Sequence, residues 1–143
     1  MFVFEGDKTY TKIYFSKIEN EISEKGFEIE TFVDSIDISD GVGKEVVFNL
    51  AHSVSNNKTF YTDSNGLEEL KRVVDFRPTW NYSVNEPISG NYYPINSHIT
   101  LSDSSSYLSV IVDRSEGGTA CKDGFIELMI HRRTLRDDSR GVN

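Results

Sequence analysis

At 143 residues the chain has room for one domain, and its formal net charge of −8 argues against electrostatic capture of nucleic-acid phosphates or of an anionic membrane surface. An apolar fraction of 37% with 27% charged residues suits a soluble globular protein, and the 12% of aromatic residues, mostly Phe and Tyr, leans toward β-structure. No apolar run reaches the roughly 18 residues that a membrane helix needs, and Cys121, the only cysteine, excludes a disulfide within the chain.

Met1–Asp7 lacks the basic start and long apolar run of a signal peptide, and residues 1–9 are weakly patterned. From Tyr10 to Ile18, Ile13 and Phe15 alternate with Lys12, Tyr14 and Ser16, which predicts a strand; the polar run Glu19–Gly26 predicts a turn. Phe27, Ile29, Thr31 and Val33 alternate with Glu28 and Glu30 in a second strand that Ile36 and Ile38 extend. After the turn Asp40-Gly41-Val42-Gly43, the row Val46, Phe48, Leu50 gives a third strand. Thr59–Thr62 is a short β-rich run ended by the turn-formers Asp63-Ser64-Asn65-Gly66. Leu67, Leu70, Val73 and Val74 have helical spacing but include β-branched residues, so 67–74 holds at most one short helix, or a strand. Phe76 to Pro94, with all three prolines, reads as irregular. Ile99 and Leu101 mark a strand, Ser102–Ser106 a turn, and Tyr107–Val112 a strand covered on both faces. Asp113–Gly124 reads as a loop. The last strand follows, with Ile126, Leu128 and Ile130 on one face and Phe125, Glu127, Met129 and His131 on the other. Its apolar row continues at the same period into Arg132, with Arg133 on the opposite face. About eight short strands in one domain, residues 1–143, predict an all-β fold of antiparallel sandwich type, part of a larger sandwich.

The motif chemistry is sparse. Gly41-Val42-Gly43-Lys44-Glu45 lacks the upstream glycine of a phosphate-binding loop and has Glu45 where Ser or Thr binds magnesium, so it reads as a turn. Gly117-Gly118 reads as a tight loop. Asp34, Asp37 and Asp40 lack calcium-loop spacing and read as a solvated acidic loop. His52, His98 and His131 are scattered, which predicts no metal site in the chain. Cys121 beside Ala120 reads as a small buried side chain. Asp137 and Asp138 lie among Arg132, Arg133, Arg136 and Arg140, a density of opposite charge that reads as ion pairing rather than as a glycosidase carboxylate pair; Asp137, Asp138 and Arg140 are the structural candidates. Asn57-Lys58-Thr59 and Asn81-Tyr82-Ser83 are N-glycosylation triplets, making Asn57 and Asn81 modification candidates.

A set of ordered stretches adds to this reading: Asp40-Gly41-x-Gly43-Lys44-Glu45-Val46, Phe60-Tyr61-Thr62-Asp63-Ser64-Asn65-Gly66, Phe76-Arg77-Pro78-Thr79-Trp80, and Glu86-Pro87-x-x-Gly90-Asn91-Tyr92-Tyr93-Pro94-Ile95-Asn96. Then come Asp113-Arg114-Ser115-x-Gly117-Gly118, Lys122-Asp123-Gly124-x-x-Glu127-Leu128-Met129 and His131-Arg132-Arg133-x-Leu135-x-Asp137-Asp138-x-Arg140-Gly141-Val142. In order and spacing, over about residues 27–142, they resemble the C-terminal β-rich region of lysosomal-type α-mannosidases, glycoside hydrolase family 38; residues 1–26 carry no resemblance.

The resemblance implies a retaining, zinc-dependent exo-α-mannosidase acting on terminal α-mannose of glycans. Its nucleophile and zinc ligands sit in an N-terminal catalytic α/β domain, which is the implied partner alongside mannose-containing glycans. This chain then holds no catalytic or metal residue and lends an arginine, Arg132 or Arg133, to the cleft rim; zinc belongs to the parent enzyme. The isolated chain is expected to be inactive, and the mid-motif end at Gly141-Val142-Asn143 fits a fragment. The resemblance also implies a lysosomal, vacuolar or secretory location. The alternative is a stand-alone carbohydrate-binding or interaction module using Tyr61, Trp80, Tyr92 and Tyr93, and a third reading is a fragment with no independent role that exposes an interface.

Overall fold

The computed structural model describes residues 1–15 and 26–136. Eleven strands are formed among them, in chain order β1 (Phe2–Glu5), β2 (Thr9–Tyr14), β3 (Glu28–Val33), β4 (Lys44–Ala51), β5 (Thr59–Ser64), β6 (Glu68–Val73), β7 (Tyr93–Ile95), β8 (His98–Ser102), β9 (Tyr107–Ile111), β10 (Glu116–Thr119) and β11 (Phe125–Arg133). One 3₁₀ turn, Ser89–Asn91, is the only helical element among the described residues. They build three antiparallel sheets, as the all-β sandwich reading expects. Two compact units divide the chain, residues 1–44 with 131–143 and residues 45–130.

The first unit contains the sheet β1-β2-β3. The alternation read from Tyr10 onward pairs with β3 in register, Ile13 opposite Ile29 and Thr11 opposite Thr31. Tyr10 stacks on Phe32 at 4.6 Å between ring centroids, and the Tyr14 hydroxyl donates to Glu30 at 2.9 Å. Residues 2–5 form a strand that the sequence pattern did not reveal, because Phe2 and Phe4 face Ile13 and Thr11 across the edge of β2. Ile36 and Ile38 do not extend β3. Asp34 Oδ1 instead accepts the Ser35 amide at 2.7 Å and Asp37 Oδ1 the Ser39 amide at 2.9 Å, local bonds that compete with a ladder.

The second unit is the sandwich. One sheet runs β4-β11-β10-β7 and the other β6-β5-β8-β9. Phe60, Ile99 and Leu101 from one sheet meet Ile95, Ile126 and Leu128 from the other in a single buried cluster with Val54 and Ala120. Within 67–74, Glu68–Val73 form strand β6 and no residue is helical. Asn65 and Gly66, with φ of 50° and 70°, are the central pair of a turn closed by the Leu67 amide donating to the Ser64 carbonyl at 2.9 Å; it folds β6 back on β5, and Leu70 then pairs with Thr62. The turn begins later than expected, since Asp63 and Ser64 still belong to β5. The expectation that Tyr107–Val112 is covered on both faces is corrected. β9 is an edge strand with Ile111 81% exposed, and only Leu108, Val110 and Val112 pack on the core. The loop expected over Asp113–Gly124 contains β10, where Gly118 sits so close to Ile95 and Leu128 that an added Cβ would fall 2.8 Å from each. A side chain there has no room, so the glycines mark tight packing between strands rather than a tight loop.

Candidate functional site

The end of β11 carries the two arginines. Ile126 and Leu128 are buried in the sandwich core, which fixes the strand's facing, and exposure rises beyond Ile130. Arg132, read as the inward continuation of the apolar row, is exposed in this chain, as is Arg133. The apolar row ends before the arginine because the core ends there.

Two of the ordered motifs meet at this strand end within the first unit. An added Cβ on Gly43 would lie 3.3 Å from the Leu135 amide nitrogen and 3.5 Å from the Arg133 carbonyl oxygen, so the Asp40–Lys44 turn packs against the backbone that follows the arginine pair. That turn is organised by Lys44, whose Nζ pairs with Asp40 at 2.8 Å and donates to the Asp37 carbonyl. Bonds from Ser39 hold the Asp37 carboxyl below its ordinary range, and Lys44 does so for Asp40. Asp34, Asp37 and Asp40 form the solvated acidic loop expected, and its second half turns around Lys44. A guanidinium presents a planar fork of donors and stays charged at any working pH, so it can bind and orient oxygen atoms but cannot serve as acid, base or nucleophile. Asp137, Asp138 and Arg140 lie outside the described residues.

In the second unit the irregular passage from Phe76 to Pro94 is held by buried polar groups that the sequence reading missed. Asn91 is fully buried; its Oδ1 accepts the Asp75 amide at 2.9 Å, and its Nδ2 donates to Asp75 Oδ1 and the Pro87 carbonyl, both at 2.8 Å. Asp63, 3% exposed, accepts four backbone amides. Oδ1 takes those of Asn96 (2.8 Å), Ser97 (2.9 Å) and His98 (3.3 Å), and Oδ2 takes that of Gly66 (2.8 Å). Burial by itself pushes this carboxyl up; the four amides outweigh it and hold it far below the ordinary range. An aspartate two residues before an Asn-Gly pair was the available signal, and reading it as a turn residue hid its long-range role.

The proposed aromatic platforms separate on burial. Tyr93 lies under two guanidiniums, Arg72 at 4.3 Å and Arg77 at 5.2 Å from its ring centre, with Phe60 against its edge. Tyr92 donates its hydroxyl to Glu127, and burial followed by that bond raises its pKa. Tyr61 is half-buried in β5, and Trp80 is 58% exposed with its ring edge-on to Tyr82 at 5.5 Å. A cavity of about 380 Å³ is lined by Asn49, Ile88, Thr119, Cys121, Lys122, Phe125 and Glu127. Cys121 is half-buried at its wall rather than buried beside Ala120, and that burial raises its thiol pKa. Among the described residues no three of His, Cys, Asp and Glu gather into a metal-binding group. Among the described residues no helix is long and apolar enough to cross a membrane.

The two glycosylation triplets occupy different backbone settings. Asn57 and Lys58, with φ of 46° and 59°, form a turn closed by the Thr59 amide donating to the Asn56 carbonyl at 2.8 Å. Asn81–Ser83 lies outside all strands, in the passage between Phe76 and Pro94.

Comparison with known proteins places this arrangement. Residues 8–140 match the family described as glycosyl hydrolases family 38 C-terminal domain. The chain is 56% identical over 115 residues to a probable alpha-mannosidase of Arabidopsis thaliana, covering 80% of this chain and 11% of that protein. It is 53% identical over 115 residues to an alpha-mannosidase of Canavalia ensiformis, covering 80% and 12%. With the lysosomal alpha-mannosidase of Homo sapiens it shares 46% over 120 residues, covering 84% and 12%. The chain thus spans about one-eighth of the length of these relatives. Family matching over nearly its whole length, on a sandwich built from the same ordered stretches, shows that the chain belongs to the C-terminal domain family of glycoside hydrolase family 38.

Proposed function

We propose that this chain is a non-catalytic β-domain portion of a zinc-dependent, retaining exo-α-mannosidase that removes terminal α-mannose from glycans. The observation that carries the reading is the match of residues 8–140 to the family's C-terminal domain, together with relatives bearing the name alpha-mannosidase. Its partner is the catalytic α/β domain of the same enzyme, and its place is the lysosome, vacuole or secretory route, as the names of the animal relatives suggest.

In this reading Arg132 or Arg133 stands at the rim of the cleft formed with the catalytic domain and orients sugar hydroxyls through its fork of donors. Their exposure in this chain supports the reading, since a rim residue must be reachable by a ligand. The described residues do not fit a zinc site, so no step is assigned to zinc on this chain; the metal belongs to the catalytic portion. Purified alone, the chain should leave an aryl α-mannoside intact with or without added zinc, and co-expression with a catalytic α/β portion should restore turnover. Zinc-dependent turnover by the pure chain, or active enzyme assembled equally well without it, overturns the proposal.

A further inference from the structure

The two glycosylation triplets look alike as sequence, and the Thr at the third position of Asn57-Lys58-Thr59 makes it the better acceptor on that ground alone. Folding treats them in opposite ways. Around Asn57 most of the triplet's backbone groups are committed. The Asn57 amide donates to Asp123 Oδ1 at 2.8 Å, the Lys58 carbonyl accepts the Val74 amide at 2.9 Å, and the Thr59 amide closes the turn on Asn56 at 2.8 Å. The Thr59 carbonyl accepts Nδ2 of the buried Asn56 at 3.0 Å, and Thr59 itself is in the β5 ladder opposite Val73. Asn56 is in turn fixed by the Gly124 amide, which donates to its Oδ1 at 2.8 Å.

At Asn81-Tyr82-Ser83 none of these restraints exists. Among the described residues no hydrogen bond involves any of the three; Asn81 and Ser83 are exposed, as Asn57 and Lys58 are, so the backbone bonds and not burial separate the two triplets. Only the Tyr82 side chain is anchored, edge-on to Trp80 and beneath the Arg77 guanidinium at 4.5 Å from its ring centre. A transferring enzyme must draw the triplet into its own site with the asparagine amide and the third-position hydroxyl both presented. The Asn81 triplet can adopt such a shape without breaking a hydrogen bond, whereas the Asn57 triplet must first break its turn and the start of β5.

We infer that Asn81 is the N-glycan acceptor of the folded chain and that folding closes Asn57 to modification. In the transfer, the Asn81 side-chain nitrogen loses a proton and bonds to C1 of the leading sugar. The C1–O bond to a lipid diphosphate breaks, and the diphosphate leaves with the electron pair. Use of the site in a cell rests on the secretory placement proposed above; the following test does not.

The folded chain, made without glycans, is incubated with a purified oligosaccharyltransferase and a lipid-diphosphate-linked oligosaccharide, beside peptides spanning 53–61 and 77–86. Rates at each asparagine are read by mass spectrometry of proteolytic fragments. At Asn81 the folded chain should react within about threefold of its peptide, and at Asn57 at least about tenfold slower than its peptide, because modification there must wait on local opening. Asn81→Gln should leave the folded chain with only the slow reaction at Asn57, and Asn57→Gln should leave the rate at Asn81 unchanged. A folded-chain rate at Asn57 equal to that of its peptide, or a tenfold loss at Asn81, overturns the inference.

Discussion

Asp63 offers the sharpest test of the forces that hold this fold. In Asp63→Asn the side-chain oxygen can keep facing the amides of Asn96, Ser97 and His98, but an NH₂ group replaces the oxygen that accepts from Gly66, setting donor against donor. Hydrogen bonds to a charged acceptor contribute about 1.5–3 kcal/mol each, and a buried donor left without a partner costs about 1–3 kcal/mol. Losing one such bond outright and weakening three others should therefore destabilise the chain by about 2–4 kcal/mol. In urea, with m of about 1–3 kcal/mol/M, this is a midpoint lower by roughly 1–2 M, followed by Trp80 fluorescence and far-ultraviolet circular dichroism.

The pH dependence carries a definite sign. The folded carboxyl is held well below its unfolded value, so its stabilisation is fully present above the unfolded pKa and is lost as pH falls toward the folded one. With an unfolded pKa of about 3.9, the advantage of the native chain over Asp63→Asn should be level above about pH 5 and shrink by about 1 kcal/mol on going to pH 3. An unchanged urea midpoint, or a difference that stays constant down to pH 3, would refute the assignment of Asp63 as the ionised clasp of the β7–β8 turn.

Asn91→Ala removes three hydrogen bonds in a fully buried setting and should cost about 2–4 kcal/mol, read as a lower urea midpoint with an unchanged m. Tyr92 should ionise well above an ordinary phenol in an ultraviolet titration. Because its folded pKa is raised, the associated stability is complete below the unfolded value of about 10 and is lost as pH rises beyond it, a dependence that Tyr92→Phe removes. In an assembled α-mannosidase bearing this segment, alanine at whichever of Arg132 and Arg133 contacts substrate should lower kcat/KM by at least about tenfold, and alanine at the other by less than about twofold. Equal and small effects at both would remove the arginine pair from the cleft.

Much of the fold was legible because its cause is local. The alternation in Val46–Leu50 and Phe125–Ile130, with the Asn65-Gly66 pair, specifies pleated strands and a tight turn without reference to anything distant. The readings left open or overturned fall where distant contacts decide. Leu67–Val74 has helical spacing, yet the turn before it lays it against β5. Phe2–Glu5 has little pattern of its own and is a strand because β2 offers an edge. Gly117-Gly118 has loop composition and is a strand because β11 and β7 pair with it on either side, Ile95 and Leu128 leaving no space for a side chain at Gly118.

The amino-acid sequence by itself determined the all-β class, the acidic surface and, through the order of its motifs, the family, since each depends on composition and on periods of a few residues. Only the tertiary structure decided what single polar residues do. Asp63 became a clasp for residues more than thirty positions away, and two equivalent glycosylation triplets became one woven turn and one open loop. The row that runs inward along β11 ended short of Arg132. The physical reason is the same in each case: a polar group's state is set by what replaces water around it, and the replacing groups come from elsewhere in the chain.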